Sequence, residues 1–574
     1  MARNRYRLAF DGNAHTIDVV ARFDELAGEP VVLRMAAWTP GSYLVRDYAR
    51  HVVELGAEDR AGRGLRVDKV DKAAWRVDPA GARDIVVRYR VYAHDLTVRT
   101  SHVTRTHAFV NGAPTYLYLP ERAGEAAAVD IEAPGWHVAT ALAGQGGARR
   151  AADLDELVDS PIHAGDRPVA AFEAAGRPVE LAVWGRAEPG AATLDDLVAD
   201  TTKIVDTHAA LFGGVPYERY TFILMLAAGA YGGLEHRASS ALLSSPFAFS
   251  TRKKYEELLE LVSHEFFHLW NVKRIRPRAL GPFDYGAENY TRSLWVVEGV
   301  TSYYDRHALR RAGLIPAKRY LEKLGEEWGR LLDIPGRRRQ SLEEASFDAW
   351  IRHYKPDEST VNSTVSYYLK GGIVALCLDL DVRRRTAGAR SLDDVMRRLW
   401  REYGARDVGY ADEAVRREME RAVDLDLGAF FDRCVRGRED PDLGAALAGA
   451  GLVLRPKKEE EGNGRGGWLG VTTRTVDGRL LAAQVLADGP GEAAGIAPGD
   501  EIVAVGGFRV DEKGLSDRLA ARRPGDEVKV VVATREELRE VVATLGEKPT
   551  TWEIVPDDEA GEAEKALRAA WLGE

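Results

Sequence analysis

The chain has 574 residues, 45% of them hydrophobic and 29% charged; it is too long for a single core and has the balance of an ordinary folded protein of three or four domains. A formal net charge of -10 argues against a general nucleic-acid binder, which needs a basic surface to displace counterions. With only two cysteines, Cys377 and Cys434, a disulfide framework and a Cys-rich zinc site are both excluded, so any metal must be held by His, Asp or Glu.

Residues 1–165 alternate apolar and polar positions in short runs such as "DIVVRYRVYA" and "HAFVNGAPTYLYLP", separated by turn residues that include Asn111-Gly112. This pattern predicts a β-rich domain. The opening stretch lacks the apolar segment of a signal peptide. No run approaches the length of a membrane span. The chain as given is therefore expected to be cytoplasmic, or periplasmic if a leader has been removed.

From residue 166 the character changes. A strand is expected in "YTFILMLAA", followed by a glycine turn and several helical patterns. One helix is expected to start after Ser250 or Thr251 as cap, to run through "RKKYEELLELVSHEFFHLWNVKRI" and to stop by Pro277. Leu258, Leu259, Leu261, Val262, Phe266 and Leu269 form its apolar face. Further helices are expected in "LWVVEGVTSYYDRHALRRAG", "YYLKGGIVALCLDLDVRRR" and "LDDVMRRLWREYG". The basic clusters at Lys273-Arg274, Arg276 and Arg278, and at Arg337–Arg339, are expected to be solvated faces or internal ion pairs. Residues 166–340 are read as a catalytic domain and 341–455 as a helical domain completing the active site. The charged, glycine-rich stretch 456–467 reads as a linker. Residues 468–550 alternate like a small strand-rich module, and 551–574 form a tail ending in a helix.

His264 and His268 stand four apart in "SHEFFHLW", so on a helix they project from one face and can grip one ion. Glu265 lies on the adjacent edge, placed to take a proton from water; this is the HExxH pattern of zinc peptidases. Two packed histidines on an amphipathic helix are the plainer alternative. A catalytic zinc needs a third protein ligand and one open position. Glu298 is the leading candidate, with Glu288 and Asp305 as weaker ones. Tyr367 and Tyr368 at a helix start, and Gly232, Gly233 and Glu235 in "YGGLEHRASS", could serve an oxyanion and a substrate; from spacing alone, packed tyrosines and a turn with a surface acid are the favoured reading.

The order "GGLEH", "HEFFHLWN", "WVVEG", "YYLKGG" resembles that of the gluzincin aminopeptidases. With "WTPGSYLVRDYARHV" near the start, "HEFFHLWNVKRIRP" and a PDZ-like C-terminal module, the chain resembles more specifically the glycyl aminopeptidase family. The resemblance spans nearly the whole chain. It implies a multidomain α+β fold: an N-terminal β-rich domain, a thermolysin-like zinc-metallopeptidase domain with a helical C-terminal part, and a PDZ domain. It also implies one zinc ion per chain on His264, His268 and Glu298. Glu265 would be the general base and Tyr368 the hydroxyl that stabilises the tetrahedral intermediate. Glu235 would bind the substrate's α-amine, and Gly232 and Gly233 would form the edge along which the peptide lies. Leu234 and His236 stand where Met and Asn are commoner in the wider clan, and Ser302 stands four residues after Glu298, where some relatives carry an acid. In the C-terminal module, "GGWLGV" resembles a carboxylate-binding loop, with Leu469, Gly470 and Val471 offering N–H groups to a peptide that adds as a strand; a module that only packs on the body is the alternative. The expected activity is removal of small N-terminal residues such as Gly or Ala. A zinc endopeptidase with PDZ-delivered substrates and a non-catalytic peptide scaffold are the competing readings.

Overall fold

The computed structural model describes residues 2–457 and 466–574, so most of the expected linker, 458–465, lies outside the described residues. The architecture is multidomain α+β, as the sequence implies. Packing divides the chain into two compact units. The first comprises Met1–Thr291, Tyr304–Ile315 and Asp393–Glu418; the second comprises Arg292–Tyr303, Pro316–Leu392 and Met419–Glu574.

The first unit opens with an eleven-stranded sheet. Its first hairpin pairs Asn4–Asp11 with Thr16–Phe23, in register Asn4 to Phe23. Along these strands Tyr6 and Leu8, and Ile17, Val19, Ala21 and Phe23, are buried at alternate positions, as the period of two requires for a sheet packed on one face. A four-stranded sheet follows, containing His102–Thr104, His107–Val110, His137–Thr140 and Ile162–Gly165.

A five-stranded sheet carries the site. Tyr220–Leu226, buried at every position, runs parallel to both Arg177–Trp184 and Ser239–Ser244. The Gly232–Glu235 strand lies at the sheet edge, antiparallel to Ser239–Ser244. Behind it packs the Arg252–Phe267 helix, whose N-cap Thr251 accepts from the Lys254 N–H. The six apolar positions expected of this helix are all buried. It ends at Phe267, ten residues before Pro277; beyond it the chain leaves helical geometry, with a parallel bridge between Asn271 and Ile275 and a φ of 149° at Val272.

In the second unit, Trp295–Val300 forms a π-helical turn that leads into the Thr301–Arg311 α-helix. The Leu369–Arg385 helix packs against the π-turn at two glycines: a Cβ on Gly299 would lie 2.6 Å from the Gly371 Cα and 2.7 Å from the Tyr367 carbonyl oxygen. Cys377 and Cys434 are free and buried. Leu452–Pro456 pairs antiparallel with Trp552–Pro556, and between them the C-terminal module folds around its own core, which includes Leu469, Leu480, Val505, Val530 and Val532. The Asn362 side chain ties this module down, donating to the Val485 carbonyl and accepting from the Ala487 N–H, both at 2.8 Å. The terminal helix Glu562–Leu572 docks by Trp571, fully buried, whose indole N–H donates to the Tyr303 hydroxyl at 3.0 Å. No helix among the described residues is long and apolar enough to cross a membrane.

Candidate active site

The HExxH pair sits in the last turn of the Arg252–Phe267 helix, with His268 as its C-cap. Their rings stand 4.7 Å apart and nearly perpendicular. Each ring nitrogen Nδ1 is committed. That of His264 hydrogen-bonds the Asp305 carboxylate at 3.0 Å, and that of His268 the Asn271 carbonyl at 2.7 Å. Bonding at Nδ1 fixes the tautomer, directs Nε2 to a ligand and raises its basicity. Asp305, one of the weaker ligand candidates, thus has its Oδ2 engaged by the His264 ring. It stands seven positions after Glu298 and three after Ser302. Glu288 is solvent-exposed and joins no group of potential ligands among the described residues. The neighbouring Arg306 pairs with Glu260 at 3.1 Å and pins the Thr301–Arg311 helix to the His264 helix.

Glu265 is 5% exposed and lies directly over the backbone of the edge strand. A Cβ at Gly233 would stand 1.9 Å from Glu265 Oε1. The glycine is thus required for the carboxylate to occupy its place. Glu235, at the other end of the strand, is 4% exposed, and its Oε1 has no hydrogen-bond partner among the described residues. Glu235, Glu265 and His268 each bring one potential ligand atom within 4.8 Å of the others. The loop carrying "WTPGSY" lies against the same carboxylate: a Cβ on Gly41, whose φ is +87°, would meet both Glu235 oxygens at 2.6 Å.

His236 is a structural residue. Its ring is buried and hydrogen-bonds Asp159 at 3.0 Å. Asp159 also accepts from the Arg237 N–H and from Lys273 Nζ, both at 2.8 Å. Burial works against its ionisation, but Lys273 and His236 outweigh that and hold the carboxyl below the usual range. One aspartate thus ties the residues after Glu235 to the "NVKR" segment after His268. The basic clusters are mixed: Lys273 pairs with Asp159, Arg276 with the exposed Asp407 at 2.7 Å and Arg337 with Asp440 at 2.9 Å, while Arg278, Arg338 and Arg339 are exposed.

In the second unit Glu298 is buried within the π-turn. Tyr368 is the N-cap of the Leu369–Arg385 helix. Desolvation, and then the negative charge of Glu298, hold its phenol well above the ordinary tyrosine range, so it stays a neutral donor. His353 stacks on Tyr368 with ring centres 5.5 Å apart; burial lowers its pKa, and the Glu298 charge opposes that shift. Tyr367, the alternative to Tyr368, is fully buried against the His353 ring. Asp305, Asp159, Gly41 and His353 were not assigned these roles from the sequence. Only "WTPGSY" gave a signal, as part of the family resemblance. The structure gathers Gly232, Gly233, Glu235, His264, Glu265 and His268 in the first unit, and Glu298 and Tyr368 in the second.

In the C-terminal module, Leu469 is in the core and Gly470 takes a φ of +71°. Neither donates a backbone hydrogen bond among the described residues. Val471 begins the Val471–Val476 strand, which ends its sheet and is bonded on one side only.

Residues 5–166 match the family model described as the Peptidase M61 N-terminal domain, residues 257–374 that of the M61 glycyl aminopeptidase, and residues 467–545 that of a PDZ domain. A solved structure, described as an aminopeptidase N family protein from Idiomarina loihiensis, is 31% identical with a TM-score of 0.92, over 99% of this chain and 100% of that one. An M1 zinc metallopeptidase from Deinococcus radiodurans aligns with 77% of this chain and 95% of its own at 14% identity and a TM-score of 0.46, too remote a likeness to carry weight. No curated protein matches. The PDZ domain implies peptide binding. The chain belongs to the M61 glycyl aminopeptidase family and is a hydrolase of the peptidase class.

Proposed function

We propose that the protein is a zinc aminopeptidase that removes small N-terminal residues such as Gly or Ala from peptides. The observation that carries this reading is the buried Glu235 carboxylate, one oxygen of it unpartnered, with a ligand atom within 4.8 Å of Glu265 and His268. From the α-amine nitrogen to the first carbonyl carbon is about 2.5 Å by standard bond lengths. An ammonium held at Glu235 therefore brings only the first peptide bond to the reacting groups, which favours an exopeptidase over an endopeptidase. The preference for small residues rests on the family alone.

The donor set suits zinc. Two imidazoles with Nδ1 committed, and the buried carboxylate of Glu298, make a His2Glu set of the kind catalytic zinc takes. His264, His268 and Glu298 would hold one ion per chain, which supplies Lewis acidity that polarises a carbonyl and lowers the pKa of water. The protein's own groups do the rest. Glu265 takes the proton of the attacking water and delivers it to the departing amine. Tyr368, kept neutral, donates to the developing oxyanion. Glu235 grips the ammonium, and the edge strand at Gly232 and Gly233 aligns the peptide backbone. In this reading residues 166–340 form the catalytic domain, 341–455 complete it, and the PDZ domain of 468–550 docks a peptide through Leu469, Gly470 and Val471.

Glycyl or alanyl anilides compared with internally quenched, N-blocked peptides test the clamp. The account expects hydrolysis of the anilides only, and Glu235→Ala to depress that activity at least tenfold. Equal cleavage of N-blocked peptides would establish the endopeptidase reading instead.

A further inference from the structure

The PDZ domain leaves a groove between the unpaired edge of the Val471–Val476 strand and the Glu512–Ala520 helix. Its far end is lined by Thr475, Asp511, Glu512, Lys513, Ser516 and Asp517, three carboxylates against one ammonium. Asp511 is the helix N-cap, its Oδ1 accepting from the Gly514 N–H at 2.7 Å. Glu512 and Asp517 are exposed, and neither is in an ion pair among the described residues. The nearby arginines do not compensate. Arg518 lies over the Phe508 ring at 4.2 Å, and Arg474, next to Thr475, points to the opposite face of the strand.

We infer that this groove selects C-terminal peptides that combine an apolar last residue with Lys or Arg about four residues upstream. Two independent features set the register. The Leu469 and Gly470 N–H groups donate no backbone bond, and a left-handed glycine beside such groups shapes an anion nest for a terminal carboxylate. The strand then runs from Val471 to Thr475, a span of about 13 Å at strand rise. A peptide added antiparallel to it has its last side chain near Leu469, Val471 and Leu519, which belong to or pack on the apolar core. Its residue about four positions earlier comes level with Thr475 and the carboxylates. Charge complementarity there fixes register and partner choice. The inference rests on reading this domain as peptide-binding and is independent of the zinc chemistry.

The test is fluorescence anisotropy with the full chain and N-acetylated octapeptides ending in valine, carrying Lys-Lys or Glu-Glu at the fourth and fifth positions from the end. The blocked amine keeps the probe from being an aminopeptidase substrate. The Lys-Lys peptide should bind about tenfold more tightly at low salt. Amidating its C-terminus should abolish binding, and combining Glu512→Lys with Asp517→Lys should remove the preference. Equal affinity of the two peptides for the unmodified chain, undiminished binding of the amidated peptide, or no binding of either would overturn the inference without recourse to the variant. Because the readout is binding, its failure leaves the aminopeptidase reading standing.

Discussion

Replacing Gly233 by alanine probes the geometry of the proposed base with a single carbon. The residue is in an extended edge strand and its φ is not in the left-handed region, so the backbone accepts alanine without strain. The added Cβ would lie 1.9, 2.2 and 2.6 Å from Glu265 Oε1, Cδ and Cγ. Ordinary carbon contacts need about 3.5 Å, so the carboxylate must retreat by over an ångström. Misplacing a reacting group by about 1 Å costs on the order of 100-fold in rate, equivalent to about 2.7 kcal/mol of transition-state stabilisation. Overpacking costs the fold about 1–3 kcal/mol, which a domain of this size survives. The assay is steady-state hydrolysis of alanyl anilide by protein whose metal content is measured in parallel. The expected result is kcat/KM down about 100-fold with the metal content of the unmodified chain. Activity within twofold of that chain would refute the placement of Glu265 as base.

Two further outcomes follow from the same contacts. Asp305→Asn removes the charge that orients His264, and zinc affinity measured by chelator competition should fall about 10–100-fold. His163 is buried beside the His107 ring at 5.1 Å, its Nδ1 has no partner among the described residues, and burial lowers its pKa to about 4. Below an unfolded value of about 6.5 the unfolded chain takes the proton first, so this contribution is full above pH 6.5 and is lost as pH falls towards 4, amounting to about 3 kcal/mol. Burial lowers the pKa of His107 and His102 in the same direction. Denaturant midpoints should therefore drop between pH 7 and pH 5, and His163→Gln should flatten that slope. An unchanged slope would contradict it.

Much of the site was legible because it is local. The cap at Thr251, the apolar face and the four-residue histidine spacing all lie within one helix, where periodicity speaks directly. The end of that helix was not, since the bridge between Asn271 and Ile275 lies beyond the periodic segment. Nor was the π-turn holding Glu298: "WVVEGV" reads equally as α-helix, and the close approach of Gly299 to Gly371 is a tertiary fact. Asp159 lies 114 residues from the lysine it pairs with, and no spacing rule reaches that far. The eleven-stranded sheet was visible as strands, but its order was not, because the parallel partner of Asn4–Ala9 is Ala127–Glu132.

Anomalous diffraction at the zinc edge, from crystals of protein never exposed to chelator, tests the central claim most directly. The account predicts one peak per chain at coordination distance, about 2.1 Å, from Nε2 of His264 and His268 and from the Glu298 carboxylate. A crystal with no peak there, or with the ion held by other residues, would contradict it.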